Sequence, residues 1–239
     1  MKHFVLFAFI SFIGIGCGTP RIMSEREYQE RPQIQTSLFR GDQDFVSEDA
    51  VQKILSSKIQ FRSKVKVAIF KYDGSEEEHF AITNYGYYYW RSEAYIKLQQ
   101  RLLDTLQSLL LSSGRVSEAT VLPSMLVPKQ PTITMLRQAA VRLQADVLLV
   151  FRITSDVYYD VLLFEKDKIK AYSTCEVLFF DTRTGIIPFT TVASRDLLTR
   201  RLSEEIDKQE AMKRAQEEAS LQAIAAVGNE VAGFFKQVQ

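Results

Sequence analysis

Leu143-Gln144-Ala145-Asp146-Val147-Leu148-Leu149-Val150-Phe151, LQADVLLVF, is the stretch on which the reading of the fold turns. Val147–Phe151 is a continuous apolar run, too short for an independent buried helix and free of the polar alternation of a half-exposed strand. Such a run is expected of a strand covered on both faces, and that implies helices packed on a sheet. Upstream, Thr132 can cap a helix reaching about Gln144, with Met135, Leu136, Ala139, Ala140 and Leu143 facing inward. Downstream, the strand runs on through ITSDVYYDVLLFE, turns at Lys166-Asp167-Lys168 and returns as IKAYSTCEVLFFD.

The remaining elements follow outward from this centre. Thr182-Arg183-Thr184-Gly185 forms a hairpin in which Gly185 can take a positive φ, and IIPFTTVAS (186–194) is the next strand. A long amphipathic helix then runs from about Ser203 to Phe235, its apolar face carrying Ile206, Met212, Ala215, Ala219, Ala223, Val227, Val231 and Phe234. Before the opening stretch, Ser47 caps a helix bearing Val51, Ile54 and Leu55. Val65, Val67 and Ile69 alternate as a strand ending at Asp73-Gly74. A long helix from Ser92-Glu93 places Ile96, Leu98, Leu102, Leu103, Leu106, Leu109 and Leu110 on one stripe and stops at Gly114. A short strand spans Arg115–Leu122. The order α-β-α-β-α-β-β-β-α predicts an α/β fold: a mixed sheet of about five strands covered by helices in two or three layers, with a long hairpin and a long C-terminal helix.

The amino terminus carries a different message. Lys2 and His3 precede FVLFAFISFIGIG, an apolar run shorter than the roughly 20 residues that span a bilayer. It has the form of a secretory signal, and residues 1–16 are assigned to it. Gly16-Cys17 at its end resembles the lipobox of bacterial lipoproteins, with Gly14 standing where that pattern usually has Leu. The resemblance implies that Cys17 becomes the first residue of the mature chain and carries acyl chains, which hold it to a membrane stably once two or more are present. Gly18 rather than Asp after the Cys points towards the outer membrane, with the domain in the periplasm. Residues 17–46, polar and interrupted by Pro20, Pro32 and Gly41, are expected to be a flexible, lipid-anchored tether, with part of the segment lying along the domain surface as the alternative, and 47–239 a single globular domain.

Composition limits the function classes. Thirty Lys and Arg stand against twenty-nine Asp and Glu, which argues against nucleic acid as a partner, since phosphate contacts need a basic excess. There are two cysteines; with Cys17 acylated, Cys175 has no intrachain partner, and its strand register places it in the core as an inert thiol. There are also two histidines, and loss of His3 leaves His79 in a charged loop. No Gly-rich phosphate loop, nucleophile elbow or His-Glu-x-x-His motif is present, so neither enzyme activity, metal nor cofactor is expected. Tyr85, Tyr87, Tyr88, Tyr89, Trp90 and Arg91 form an aromatic loop with the composition of a binding hot spot; local packing over a sheet edge is the alternative.

Three segments carry a wider resemblance: Val67-Ala68-Ile69-Phe70, Leu143–Val150 and Phe180-Asp181-Thr182-Arg183-Thr184-Gly185. In that order and spacing they are similar to the curli-assembly-type lipoprotein fold, also seen in lipoprotein activators of penicillin-binding proteins and in the amino-terminal domain of the Tol-system periplasmic protein. The resemblance implies a non-enzymatic envelope lipoprotein that binds or helps assemble another envelope component, with the partner left open. Its alternative is a subunit of an oligomeric outer-membrane secretion channel, in which the Asp156–Phe179 hairpin would line a barrel. Glu165, Lys166, Lys168 and Lys170 weigh against a membrane-spanning hairpin. A homo-oligomer with a seam on the C-terminal helix is left open as an alternative, although the sequence does not signal it.

Overall fold

The computed structural model describes residues 38, 48–57, 61, 64–72, 93–128, 131–160 and 168–237. In chain order the elements are α1 (Glu48–Ser56), β1 (Val65–Lys71), α2 (Glu93–Ser112), β2 (Val116–Val121), α3 (Ile133–Arg142), β3 (Val147–Asp160), β4 (Lys168–Asp181), β5 (Thr190–Arg200) and α4 (Lys208–Gln237). The five strands form one sheet in the order β2-β1-β3-β4-β5. β1 pairs in parallel with both β2 and β3, whereas β3–β4 and β4–β5 are antiparallel. The fold is therefore α/β with a mixed five-stranded sheet, as the element order predicts.

Val147, Leu148, Leu149, Val150 and Phe151 are all buried, because β3 starts between two helical layers. Val147, Leu149 and Phe151 join Val65, Val67 and Ile69 of β1 on the face covered by α2 and α4. Leu148 and Val150 face the other way, with Ala68 and Phe180, against Ile133, Leu136, Ala139 and Ala140 of α3. α2 contributes Leu98, Leu102, Leu106 and Leu110, four residues apart and hence on one stripe. Past Phe151 the burial alternates along β3. The structure is three-layered around β1 and the start of β3, and two-layered where β3, β4 and β5 run beyond α3.

α4 covers the inner face along its whole length. Its first half presents Ala211, Ala215 and Ala219 to Ile169 and Ala171 of β4. Its second half places Ile224, Val227, Val231 and Phe235 in the main core. At its carboxyl end Phe234 stacks on Phe189 at 4.7 Å and Phe235 meets Phe179 edge-on at 5.3 Å. Every residue of the three apolar clusters lies between Leu38 and Phe235.

Several boundaries and faces differ from expectation. Ile96 is 62% exposed; at two residues from Leu98 it sits about 200° round the helix from the buried stripe. Met135, in the first turn of α3, is likewise exposed while Ile133 takes the buried place, and Leu55 of α1 is exposed too. β5 begins at Thr190 rather than Ile186. Pro188 has no N–H to give the ladder, and the bonds Phe179 N–H to Phe189 O and Asp181 N–H to Ile186 O leave an extra residue on that side, as in a bulge. α4 begins at Lys208, not Ser203. Asp207 Oδ1 accepts the Glu210 N–H at 2.9 Å and Glu210 Oε2 accepts the Ile206 N–H at 2.9 Å, a reciprocal cap close to a capping box. Ile206 consequently lies outside the helix and is 89% exposed. The expected positive φ at Gly185 (78°) and the helix stop at Gly114 (φ 74°) are both present.

Gly228 of α4 passes directly over α2. A Cβ there would lie 2.6 Å from Leu109 Cδ1 and 3.3 Å from Leu109 Cβ, whereas a Cβ on Gly233 would meet nothing within 4 Å. Gly228→Val is therefore expected to destabilise the fold by about 1–3 kcal/mol through overpacking. Gly233→Ala should instead stabilise it by up to about 1 kcal/mol through helix propensity. Urea denaturation midpoints of the two variants measure both, and the opposite signs are the diagnostic.

Candidate binding face

Side chains alternate across a strand, so every second residue of β3, β4 and β5 points away from α4. The pairing register aligns these outward residues in rows: Arg152–Glu176–Val192, then Thr154–Thr174–Ser194, then Asp156–Tyr172–Asp196, then Tyr158–Lys170–Leu198. Tyr158, Tyr172, Val192 and Leu198 are exposed large side chains here, at 55%, 44%, 62% and 68%. The inward residues of the same strand tell the opposite story: Ile169, Ala171, Ser173, Cys175, Val177 and Phe179 of β4 are all buried. β4 thus carries one dry face and one mixed polar–aromatic face, whereas on the inward side of β5 Ala193 is buried and Arg195 is exposed.

The centre of the outward face is a hydroxyl cluster. Thr174 Oγ1 and Ser194 Oγ are 2.9 Å apart. Hydrogen bonding of the Tyr172 phenol to Ser194, and then to Thr174, holds its pKa below the usual value, against a smaller opposing effect of the Asp196 charge. Asp156 Oδ1 accepts the Val157 N–H at 2.8 Å. Aromatic rings, hydroxyls and charges of both signs on a flat sheet can dock a polar macromolecular surface.

At one end of this face Lys168, Leu198, Thr199, Arg200, Arg201 and Leu202 line an open groove of about 380 Å³. The chain leaving β5 is held there by a buckle. Arg214 of α4 donates from Nε to Glu205 Oε1 at 2.6 Å and from Nη2 to the Arg200 carbonyl at 2.9 Å, while Glu205 Oε2 accepts the Leu202 N–H at 2.6 Å. The Glu205 side chain is only 5% exposed. The hydrogen bond from Arg214 outweighs its desolvation and holds its carboxyl below the usual range.

The Asp-Thr-x-Thr-Gly motif and Ala145-Asp146 form a second network, which is structural. Asp146 accepts the Lys66 N–H through Oδ2 at 3.1 Å and Arg183 Nη2 through Oδ1 at 2.9 Å. Thr182 Oγ1 donates to Ala145 O at 2.7 Å, Arg137 donates to the carbonyls of Thr182 and Arg183, and Thr184 is bonded to Asp181. These groups tie the β4–β5 hairpin to the α3–β3 junction. Cys175 is fully buried, and burial pushes its thiol up to about 12.

Of the residues singled out in the sequence, Cys17, His79, Tyr85, Tyr87, Tyr88, Tyr89, Trp90 and Arg91 lie outside the described residues. Among the described residues there is no group of three or more His, Cys, Asp or Glu side chains able to hold a metal ion, and no helix long and apolar enough to cross a membrane. The outward face and the groove were not recognised from sequence. The alternation of residues 156–163 was legible, but the covering of its other side by α4 was not. Ending β5 at Ser194 and starting α4 at Ser203 left Arg195–Leu202 without an element. Asp207-x-x-Glu210 was the signal that would have moved the helix start.

No family model matches the chain, and no curated protein matches it. Among solved structures it aligns with a protein assigned as a neuraminyllactose-binding hemagglutinin homologue from Helicobacter pylori, at 12% identity and a TM-score of 0.41, covering 77% of this chain and 98% of that one. A PelC dodecamer from Paraburkholderia phytofirmans aligns at 11% identity and a TM-score of 0.38, covering 74% and 95%. A lipoprotein from Neisseria meningitidis aligns at 13% identity and a TM-score of 0.35, covering 71% and 99%.

Two outcomes follow from the inner face and the buckle. At pH 8 the Cys175 thiolate is on the order of a thousandfold scarcer than that of an ordinary thiol, so in a Cys17→Ala chain thiol-reactive dyes should label Cys175 in denaturant and leave it untouched in the native state. The folded-state pKa of Glu205 lies below its unfolded value. Its contribution to stability is therefore complete above the unfolded pKa, near the ordinary carboxyl value of 4.5, and is lost as pH falls through the folded pKa. Glu205→Gln should lower the urea midpoint at pH 7, and the gap to wild type should close as the pH is taken below 4.

Proposed function

We propose that this chain is an exported, lipid-anchored envelope protein that works without catalysis, by binding another envelope component. The observation that carries the proposal is Phe12-Ile13-Gly14-Ile15-Gly16-Cys17: an apolar run too short to span a bilayer, ending on a cysteine placed for acylation. Such an anchor suits a domain whose other working part is a surface. The outward face of β3–β4–β5 supplies one, with Tyr158 and Tyr172 set among Arg152, Asp156, Lys170 and Asp196. Aromatic and Arg side chains are the usual anchors of protein interfaces. Tyr85–Arg91 has the same composition and is proposed as a second contact.

The packing favours this reading over a channel subunit. Val157, Tyr159, Ile169 and Ala171 of the hairpin lie against Ala211, Ala215 and Ala219 of α4. A hairpin recruited into a barrel would have to leave that contact and expose both surfaces.

Mass spectrometry of the mature amino terminus tests the anchor. Cleavage before Cys17 with an acyl-bearing cysteine is expected, along with release of Cys17→Ala from the membrane fraction; an unmodified Cys17 in the mature chain would overturn the reading. For the face, Tyr158→Ser combined with Tyr172→Ser should shift stability by no more than about 0.5–1 kcal/mol, as substitutions of exposed residues do. The same pair should reduce recovery of cross-linked envelope partners at least tenfold.

A further inference from the structure

The groove at the end of the sheet combines cations with uncovered apolar side chains. Its lining holds Lys168, Arg200 and Arg201 with Leu198 and Leu202, and Asp160 is the register neighbour of Lys168, which pairs in turn with Arg200. Lys170 stands beside Leu198 in the pairing register, opposite Tyr158. Among the described residues, Lys170, Arg200 and Arg201 take part in no ion pair within 4 Å. The acidic groups nearby are otherwise placed: Glu205 is held by Arg214, Asp207 caps α4 and Glu210 accepts the Ile206 N–H. Asp196, Glu204, Asp207 and Glu210 are exposed carboxylates around it. Ile206, 89% exposed, and Leu202, 41% exposed, project from the same connection.

Cations interleaved with exposed aliphatic and Tyr side chains match a surface that is anionic outside and apolar beneath. We propose that this end of the sheet docks onto a bilayer containing anionic phospholipid, with Lys170, Arg200 and Arg201 against the phosphates. Leu198, Leu202 and Ile206 enter the headgroup boundary, and Tyr158 lies at its edge. Each cation near such a surface strengthens binding severalfold and does so less at high salt. The buckle made by Arg214 and Glu205 fixes the backbone of residues 200–205, so the cations are presented without ordering a loop on contact.

The proposal rests on the anchoring reading for its setting. With Cys17 acylated, the chain from Cys17 to Leu38, which packs on the domain and accepts the Ile133 N–H, allows the domain to stand at most about 75 Å from the bilayer, so a weak contact is made at high effective concentration. It is tested without the anchor. A chain starting at Gly18 keeps all three cores, and is centrifuged with vesicles of phosphatidylcholine alone or with one-third phosphatidylglycerol. Expected are binding to the anionic vesicles only, its loss in about 0.5 M salt, and a drop of at least tenfold in Lys170→Gln/Arg200→Gln/Arg201→Gln. Circular dichroism should be unchanged in that variant. Leu198→Ser/Ile206→Ser, with every charge kept, should weaken binding at least threefold. Equal binding to neutral vesicles, no binding to either, or undiminished binding by the charge variant would each overturn the docking surface. So would a change in solution mass of the variants without a change in vesicle binding, which would assign the patch to a second copy. None of these results depends on whether Cys17 is acylated.

Discussion

Five consecutive apolar residues at the start of β3 can be dry only if matter lies on both sides of them. β1 supplies one lateral neighbour and β4 the other, α2 and α4 close one face, and α3 closes the opposite one. Each of those elements owes its position to this demand. α3 is short, so the demand is met over the first third of β3 and lapses afterwards. The sheet then continues with a single cover, and its outward residues change from aliphatic to Tyr, Thr, Ser and charge. Structural core and exposed face are consecutive stretches of the same strands.

The division also sorts the polar networks. Those that join elements are saturated internally: Asp146 with Lys66 and Arg183, Arg137 with the hairpin carbonyls, Arg214 with Glu205. Their side chains spend their hydrogen-bonding capacity on backbone and on one another, which makes them supports. On the outward face Lys170, Tyr172 and Leu198 are exposed, and Tyr172 is bonded to hydroxyls of that same face, Ser194 and Thr174. Supports sit where the layers meet, and the surface that can bind sits where a layer is missing.

Most of the fold was legible because its signals are local. A buried strand, the Gly185 hairpin, the Leu stripe of α2 and the order of elements all declare themselves within windows of some ten residues. Errors arose where a local signal was outvoted. Ile96 and Met135 are apolar enough to be assigned inward, yet they lie round the helix from a stripe already filled by Leu98–Leu110 or Ile133–Ala140. Ile206 fits an extended apolar face, but Asp207 and Glu210 stop the helix short of it. The outward face depends on how far α3 reaches over the sheet, a distance that no window of sequence contains. For Cys17 and the Tyr85–Arg91 loop, sequence is the whole of the argument.

α4 follows all the other described elements, and it touches partners contributed by α2, β3, β4 and β5. Its contacts bear on the order in which the molecule can be completed. A chain delivered amino end first has all five strands available before the helix that dries their inner face. Until Phe235 arrives, Cys175, Phe179, Val177 and Ile169 have no lid, and the partly assembled sheet is a surface other chains can adhere to. Folding of the sheet therefore converges on Lys208–Gln237, and a lesion there should be felt as loss of yield rather than as a faulty surface.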